Sequence, residues 1–161
     1  MFFGIWITTG NIDGDNLTLE MVKAVSLGSM EVSLSSDSRE RMQASRKAVE
    51  DILDSGEAVY GINTGFGALS SVRIEDSQLE ELQSNLVRSH ACGIGEPMDP
   101  DIVLMMMTIR ANSLAKGVSG IRPSVVDTLL GMVNSRIAPS IPRIGSLGAS
   151  GDLAPLSHMT M

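Results

Sequence analysis

The chain has 161 residues, 43% hydrophobic and 3% aromatic, with a formal net charge of −7. One domain of that length buries roughly two-thirds of its unfolded surface, so a core is expected. The acidic balance argues against a nucleic-acid partner, which calls for a basic face. The single cysteine, Cys92, cannot close a disulfide within the chain, which fits a reducing cytoplasm.

Met1 to Ile7 is apolar but too short to span a bilayer, and it lacks the basic lead of a signal peptide. It is expected to be a buried first strand or a contact segment, and no membrane association is expected. Asn11 to Asn16 is a turn cluster. Thr18 is expected to cap a short helix, Leu19 to Leu27, that Gly28 ends. Val32 to Leu34 reads as extended. Ser36 or Asp37 opens the next helix, with Met42, Ala48, Val49, Ile52 and Leu53 largely on one face and charges over much of the rest. Gly56 stops it.

A glycine-spaced loop, Val59-Tyr60-Gly61-Ile62-Asn63-Thr64-Gly65-Phe66-Gly67, follows a possible strand. Its Gly65-Phe66-Gly67 is a poor nucleotide signal, because the third glycine of a dinucleotide fingerprint is missing. The plain reading of Tyr60 is a half-buried tyrosine with its hydroxyl bonded. A helix from Glu75 to Ser89 then runs into Ser89-His90-Ala91-Cys92-Gly93-Ile94-Gly95. The plain reading of His90 is a ring satisfying carbonyls at a helix end. Cys92 reads as a packing residue, since one cysteine and two widely separated histidines do not compose a metal site.

Pro100 and Asp101 start a strongly apolar helix, Ile102 to Ala115, which should be buried or covered by another subunit. Lys116 to Pro123 is a break, and Arg122 there reads as a surface or loop-bracing arginine. Ser124 is expected to cap a helix from Val125 to Ile137, ended by Pro139 and Pro142. Ile141 to Ile144 is extended. The end, Leu156 to Met161, carries no helix stop or polar tail, so the chain is expected to be the amino-terminal piece of something longer.

The most distinctive stretch is Gly145-Ser146-Leu147-Gly148-Ala149-Ser150-Gly151-Asp152-Leu153-Ala154-Pro155-Leu156. It fails as a nucleophile elbow, because Asp152 stands where the last glycine belongs. Small residues allow a backbone amide to approach a neighbouring carbonyl. Attack of the Gly151 nitrogen on the Ala149 carbonyl carbon closes a five-membered ring. Loss of that oxygen as water, and of the Ser150 hydroxyl as a second water, leaves an exocyclic methylidene. The product is an electrophile, which ordinary side chains do not supply. Asp152 is expected to cap the helix that follows, with orienting the loop or assisting the cyclisation as a base as its other readings, and that helix's N-terminus would favour negative charge developing in this loop.

With YGINTGFG and NLVRSHACGIG upstream in the same order, this stretch resembles the signature of the histidine/phenylalanine ammonia-lyase family. The resemblance runs from Leu17 through His158. It implies a mainly α chain, the amino-terminal part of an aspartase/fumarase-like helical fold with short extended segments and functional loops at Tyr60, His90 and Ser150. Residues 1–161 would form the first domain, with the central helical bundle and its carboxylate clamp absent. It implies a methylidene-imidazolone formed autocatalytically from Ala149, Ser150 and Gly151, with no external cofactor and no metal. Tyr60 would be the base removing a substrate β-proton, which requires surroundings that favour phenolate over a phenol of ordinary pKa about 10. His90 would help to recognise the substrate side chain, which points to histidine as the amino acid substrate. Tyrosine or phenylalanine lyases and aromatic aminomutases are the alternative, and a non-catalytic helical assembly module lies outside the class. Complete sites in the family draw on several subunits of a homotetramer, so this piece alone is expected to be inactive.

Overall fold

The computed structural model describes residues 8–65, 72, 74, 76–146 and 151–161. The expected first strand at Met1 to Ile7 lies outside them. The chain divides into two compact units, Met1–Ala48 with Asp99–Ala138, and Val49–Met98 with Pro139–Met161. Helices dominate both, as the sequence implied.

In the first unit, strand β1 (Thr8–Ile12) pairs in parallel with β2 (Met30–Leu34), from Thr8 opposite Met30 to Ile12 opposite Leu34. The crossover is α1 (Leu19–Ser26), capped by the Thr18 hydroxyl, which accepts from the Met21 amide. Gly28 follows its end with φ +73°. The turn is shorter than expected, because Asn11 and Ile12 belong to β1. It starts at Asp13, whose carboxylate accepts from the amides of Asp15 and Asn16, at 2.9 Å each. These bonds and one from the Asn16 side chain, the largest cause, hold the Asp13 carboxyl down at about 2, since they favour its charged form.

Helix α2 (Ser36–Ser55) opens at Ser36 as expected, but only Ser38 and Met42 are buried along it. Ala48 is exposed, and Val49, Ile52 and Leu53 are half-buried. Arg39 makes a two-pronged bond to Asp127 at 2.9 and 2.7 Å.

Two further helices complete this unit, α4 (Pro100–Ala115) and α5 (Pro123–Asn134). On α4, Val103, Leu104, Met107, Thr108, Ala111 and Ala115 are buried, whereas Ile102 and Ile109 remain exposed. Helix α5 starts earlier than Ser124: Pro123 takes the first helical position, where its missing N–H costs nothing, and Arg122 is the cap without a side-chain bond. It also ends sooner, at Asn134, because Arg136 turns left-handed at φ +56°. Arg122 is exposed. The Asn134 amide stands in for a third strand, accepting from Val32 N at 3.0 Å and donating to Val32 O at 2.9 Å. The core is Ile12, Val25, Val32, Leu104, Met107, Val126, Leu130 and Val133 with their neighbours. Burying each larger side chain fully contributes about 1.5–3 kcal/mol.

The second unit holds α3 (Asp76–His90), β3 (Ile94–Pro97), β4 (Pro142–Ile144) and α6 (Leu153–Thr160). β3 and β4 pair antiparallel, Ile94 opposite Ile144 and Pro97 opposite Pro142, with an irregular step between. Ile141 is its fully buried large apolar side chain among the described residues. Leu79, Leu82, Leu86 and Val87 of α3 are half-buried.

Candidate active site

Tyr60 sits in a turn, with no strand before it. The turn is built by Asn63, whose fully buried side chain accepts from Val59 N at 2.9 Å and donates to Glu57 O at 2.8 Å. The backbone closes behind Tyr60 through Ile62 N to Val59 O, at 3.1 Å. Gly61 lies at φ +80° with open space where a Cβ would stand, so backbone conformation is what calls for glycine there. The loop returns through Ile74 N to Asn63 O, at 2.9 Å. Tyr60 itself is 63% exposed, against the plain expectation of a half-buried ring. Phe66 and Gly67, the end of the glycine-spaced stretch, lie outside the described residues. Asn63 was not singled out in the sequence; its place inside YGINTGFG, between two glycines that make a turn, was the available signal.

His90 is the last residue of α3 and not a loop residue, because the helix continues one position beyond Ser89. Its Nδ1 lies 2.8 Å from the Leu86 carbonyl oxygen and 3.0 Å from Ser89 Oγ. A carbonyl only accepts, so Nδ1 carries the proton and, in the neutral ring, Nε2 keeps the lone pair. The plain reading of His90 therefore holds on one edge of the ring, and the other edge remains for a second task. Cys92 is exposed and free, contrary to a packing role: it lies in the turn after α3, outside any helix or strand.

Gly151 takes φ +71°, with Ser146 Oγ at 3.8 Å the nearest atom to a would-be Cβ. This left-handed conformation, which favours glycine, lies two residues before the start of α6. Ala149 and Ser150 lie outside the described residues. Asp152 occupies the cap position of α6 without a side-chain bond, so the capping expected of it does not occur.

Tyr60 and His90 come together in one cavity of about 510 Å³. Among the described residues, Leu86 and Val87 of α3 and Leu153, Leu156, Ser157 and Thr160 of α6 also line it. Its size and mainly apolar walls with few polar groups suit a small ligand. Among the described residues, no group of three or more metal-ligating side chains is present. No described helix is long and apolar enough to cross a membrane.

The family profile described as "Aromatic amino acid lyase" matches residues 17–161. The chain belongs to that family. It is 52% identical over 150 residues to a protein named histidine ammonia-lyase from Geobacillus sp. (strain WCH70), covering 93% of this chain and 30% of that protein. The structure of histidine ammonia-lyase from Trypanosoma cruzi superimposes with a TM-score of 0.82 at 38% identity, over 94% of this chain and 28% of the other. Tyrosine aminomutase from Streptomyces globisporus gives a TM-score of 0.84 at 37% identity, with 94% and 28% covered. The chain thus spans about 30% of the length of the curated relatives it matches. The aromatic amino acid lyase fold is the helical aspartase/fumarase-like one expected, and the family is known to use a methylidene-imidazolone.

Proposed function

We propose that this chain is the amino-terminal part of a histidine ammonia-lyase, which eliminates ammonia from L-histidine to give trans-urocanate. The observation that carries the reading is the shared cavity, where Tyr60 and His90 face a helix that starts two residues after Gly151. In this reading Ala149, Ser150 and Gly151 condense into the methylidene-imidazolone, which supplies the electrophile when formed and needs no external cofactor. The phenolate of Tyr60 takes the substrate β-proton. The electron pair of that C–H bond becomes the C=C bond as the C–N bond breaks and ammonia leaves. His90, with Nδ1 committed to the Leu86 carbonyl, offers Nε2 as an acceptor for an imidazole N–H. A half-exposed loop held by Asn63 suits a base that must admit substrate.

The names of the relatives support histidine, and the likeness to a tyrosine aminomutase keeps tyrosine as the second reading, because a phenol O–H can donate to the same Nε2. The working assembly is read as a cytoplasmic homotetramer of the longer chain, and residues 1–161 alone as inactive. The test gives the full-length protein histidine, tyrosine and phenylalanine in turn and follows the ultraviolet bands of the products. Urocanate from histidine, with little product from the others, is expected. Coumarate from tyrosine, or a β-amino acid without free ammonia, would shift the assignment to the second reading. Urocanate made by residues 1–161 alone would overturn the inactivity of the piece.

A further inference from the structure

His158 lies on α6 two turns beyond Gly151, and its Nε2 accepts a hydrogen bond from the Gly93 amide at 2.9 Å. This reaches across 65 positions of sequence, from α6 to the turn that follows His90. The chain is packed tightly there. A Cβ at Gly93 would lie 3.0 Å from His158 Nε2 and 3.2 Å from Pro142 Cβ. A Cβ at Gly145 would fall 2.9 Å from Gly93 Cα and 3.3 Å from Ala154 Cβ. Ala154 and His158, four residues apart, share one face of α6, while Leu153, Leu156, Ser157 and Thr160 line the cavity. The entry to the ring-forming segment at Gly145, the turn after His90 and α6 therefore meet at one backbone contact, and His158 supplies its side-chain bond.

We infer that His158 is a positioning residue, holding the His90 end of α3 in register with the ring-forming segment through the Gly93 amide. The inference rests on the lyase reading of the cavity and deepens it. His158 acts through Gly93, three residues beyond His90. Glycine at 93 and 145 lets the two backbones and the imidazole come this close, so no other side chain is needed as a spacer.

The test compares His158→Leu and His158→Gln in the full-length protein. Glutamine places an acceptor oxygen near the position of Nε2, and leucine removes the acceptor. Hydrogen exchange at the Gly93 amide reads the bond itself: slow in the parent and in His158→Gln, fast in His158→Leu. With the bond lost, KM for histidine is expected to rise about tenfold, the equivalent of one good hydrogen bond, while the mass deficit of the ring is kept. His158→Gln should restore KM. A fast-exchanging Gly93 amide with unchanged KM, or a His158→Gln variant as impaired as His158→Leu, would overturn the inference and leave the lyase reading standing. If His158→Leu fails to accumulate as folded protein, a Gly93 amide that exchanges fast in the parent or in His158→Gln overturns it equally, and a slow one in both with parental KM in His158→Gln supports it. A parent protein that deaminates no aromatic amino acid would overturn the lyase reading, and this inference with it.

Discussion

The two units of the chain differ in how much apolar surface they close off from solvent. The first closes a largely apolar core of its own, with Leu104, Met107, Val126 and Val133 almost wholly buried and Arg39 and Asp127 joined at its surface. The second, which carries Tyr60, His90 and Gly151, leaves Leu86, Val87 and Leu156 half-exposed around a cavity. Polar bonds order the surroundings of that cavity: Asn63 inside the Tyr60 turn, the His90 ring on the Leu86 carbonyl, His158 on Gly93. A scaffold can be finished by apolar burial, but a site must keep polar atoms and apolar walls available to a ligand.

That contrast predicts where damage falls. The largest effect belongs to the site: Ser150→Ala in the full-length protein should lower kcat by at least about a thousandfold, because it removes the proposed electrophile. Its denaturant midpoint should not move. Leu104→Ala should reverse the pattern, costing about 3 kcal/mol in a denaturant titration through lost burial and a cavity in the core. Tyr60→Phe should keep the fold and reduce kcat by about a hundredfold, since it removes the proposed proton acceptor and leaves the ring's packing. Leu156→Ala, on the half-exposed wall, should cost only about 1 kcal/mol of stability while raising KM; a loss equal to that of Leu104→Ala would erase the distinction between the units.

The smallest effect is a pH dependence in the first unit. The Asp13 carboxyl sits at about 2, below the ordinary 3.8, so its stabilising contribution is complete above about pH 4. It is lost as pH falls toward 2. Solvent screening keeps it below about 1 kcal/mol. Asp13→Asn should therefore melt slightly below the parent at neutral pH and level with it near pH 2. A gap that widened on acidification would contradict the sign.

What could be read from the sequence was local. Thr18 before Leu19, Gly28 after α1 and Gly56 after α2 announce helix ends through cap and turn chemistry that acts over a few residues. The blocks around Tyr60, His90 and Gly151 stand out because glycine spacing and runs of small residues are themselves local features. What escaped is long-range. Nothing in Thr8-Thr9-Gly10-Asn11-Ile12 shows that it pairs with Met30 to Leu34, and nothing in Asn134 shows that its amide completes the β2 edge. His158 looked like an ordinary residue near the end of the chain, since its partner is the backbone of Gly93. Cys92 shows the converse: its apolar residue type suggests packing, while the turn after α3 leaves it exposed.

The central claim is that Ala149, Ser150 and Gly151 become an electrophile, and intact mass spectrometry of the full-length protein tests it most directly. The account predicts a polypeptide lighter than its sequence by two waters, with the deficit absent in Ser150→Ala. A full-mass protein with an unmodified serine at 150 that still released urocanate from histidine would contradict it.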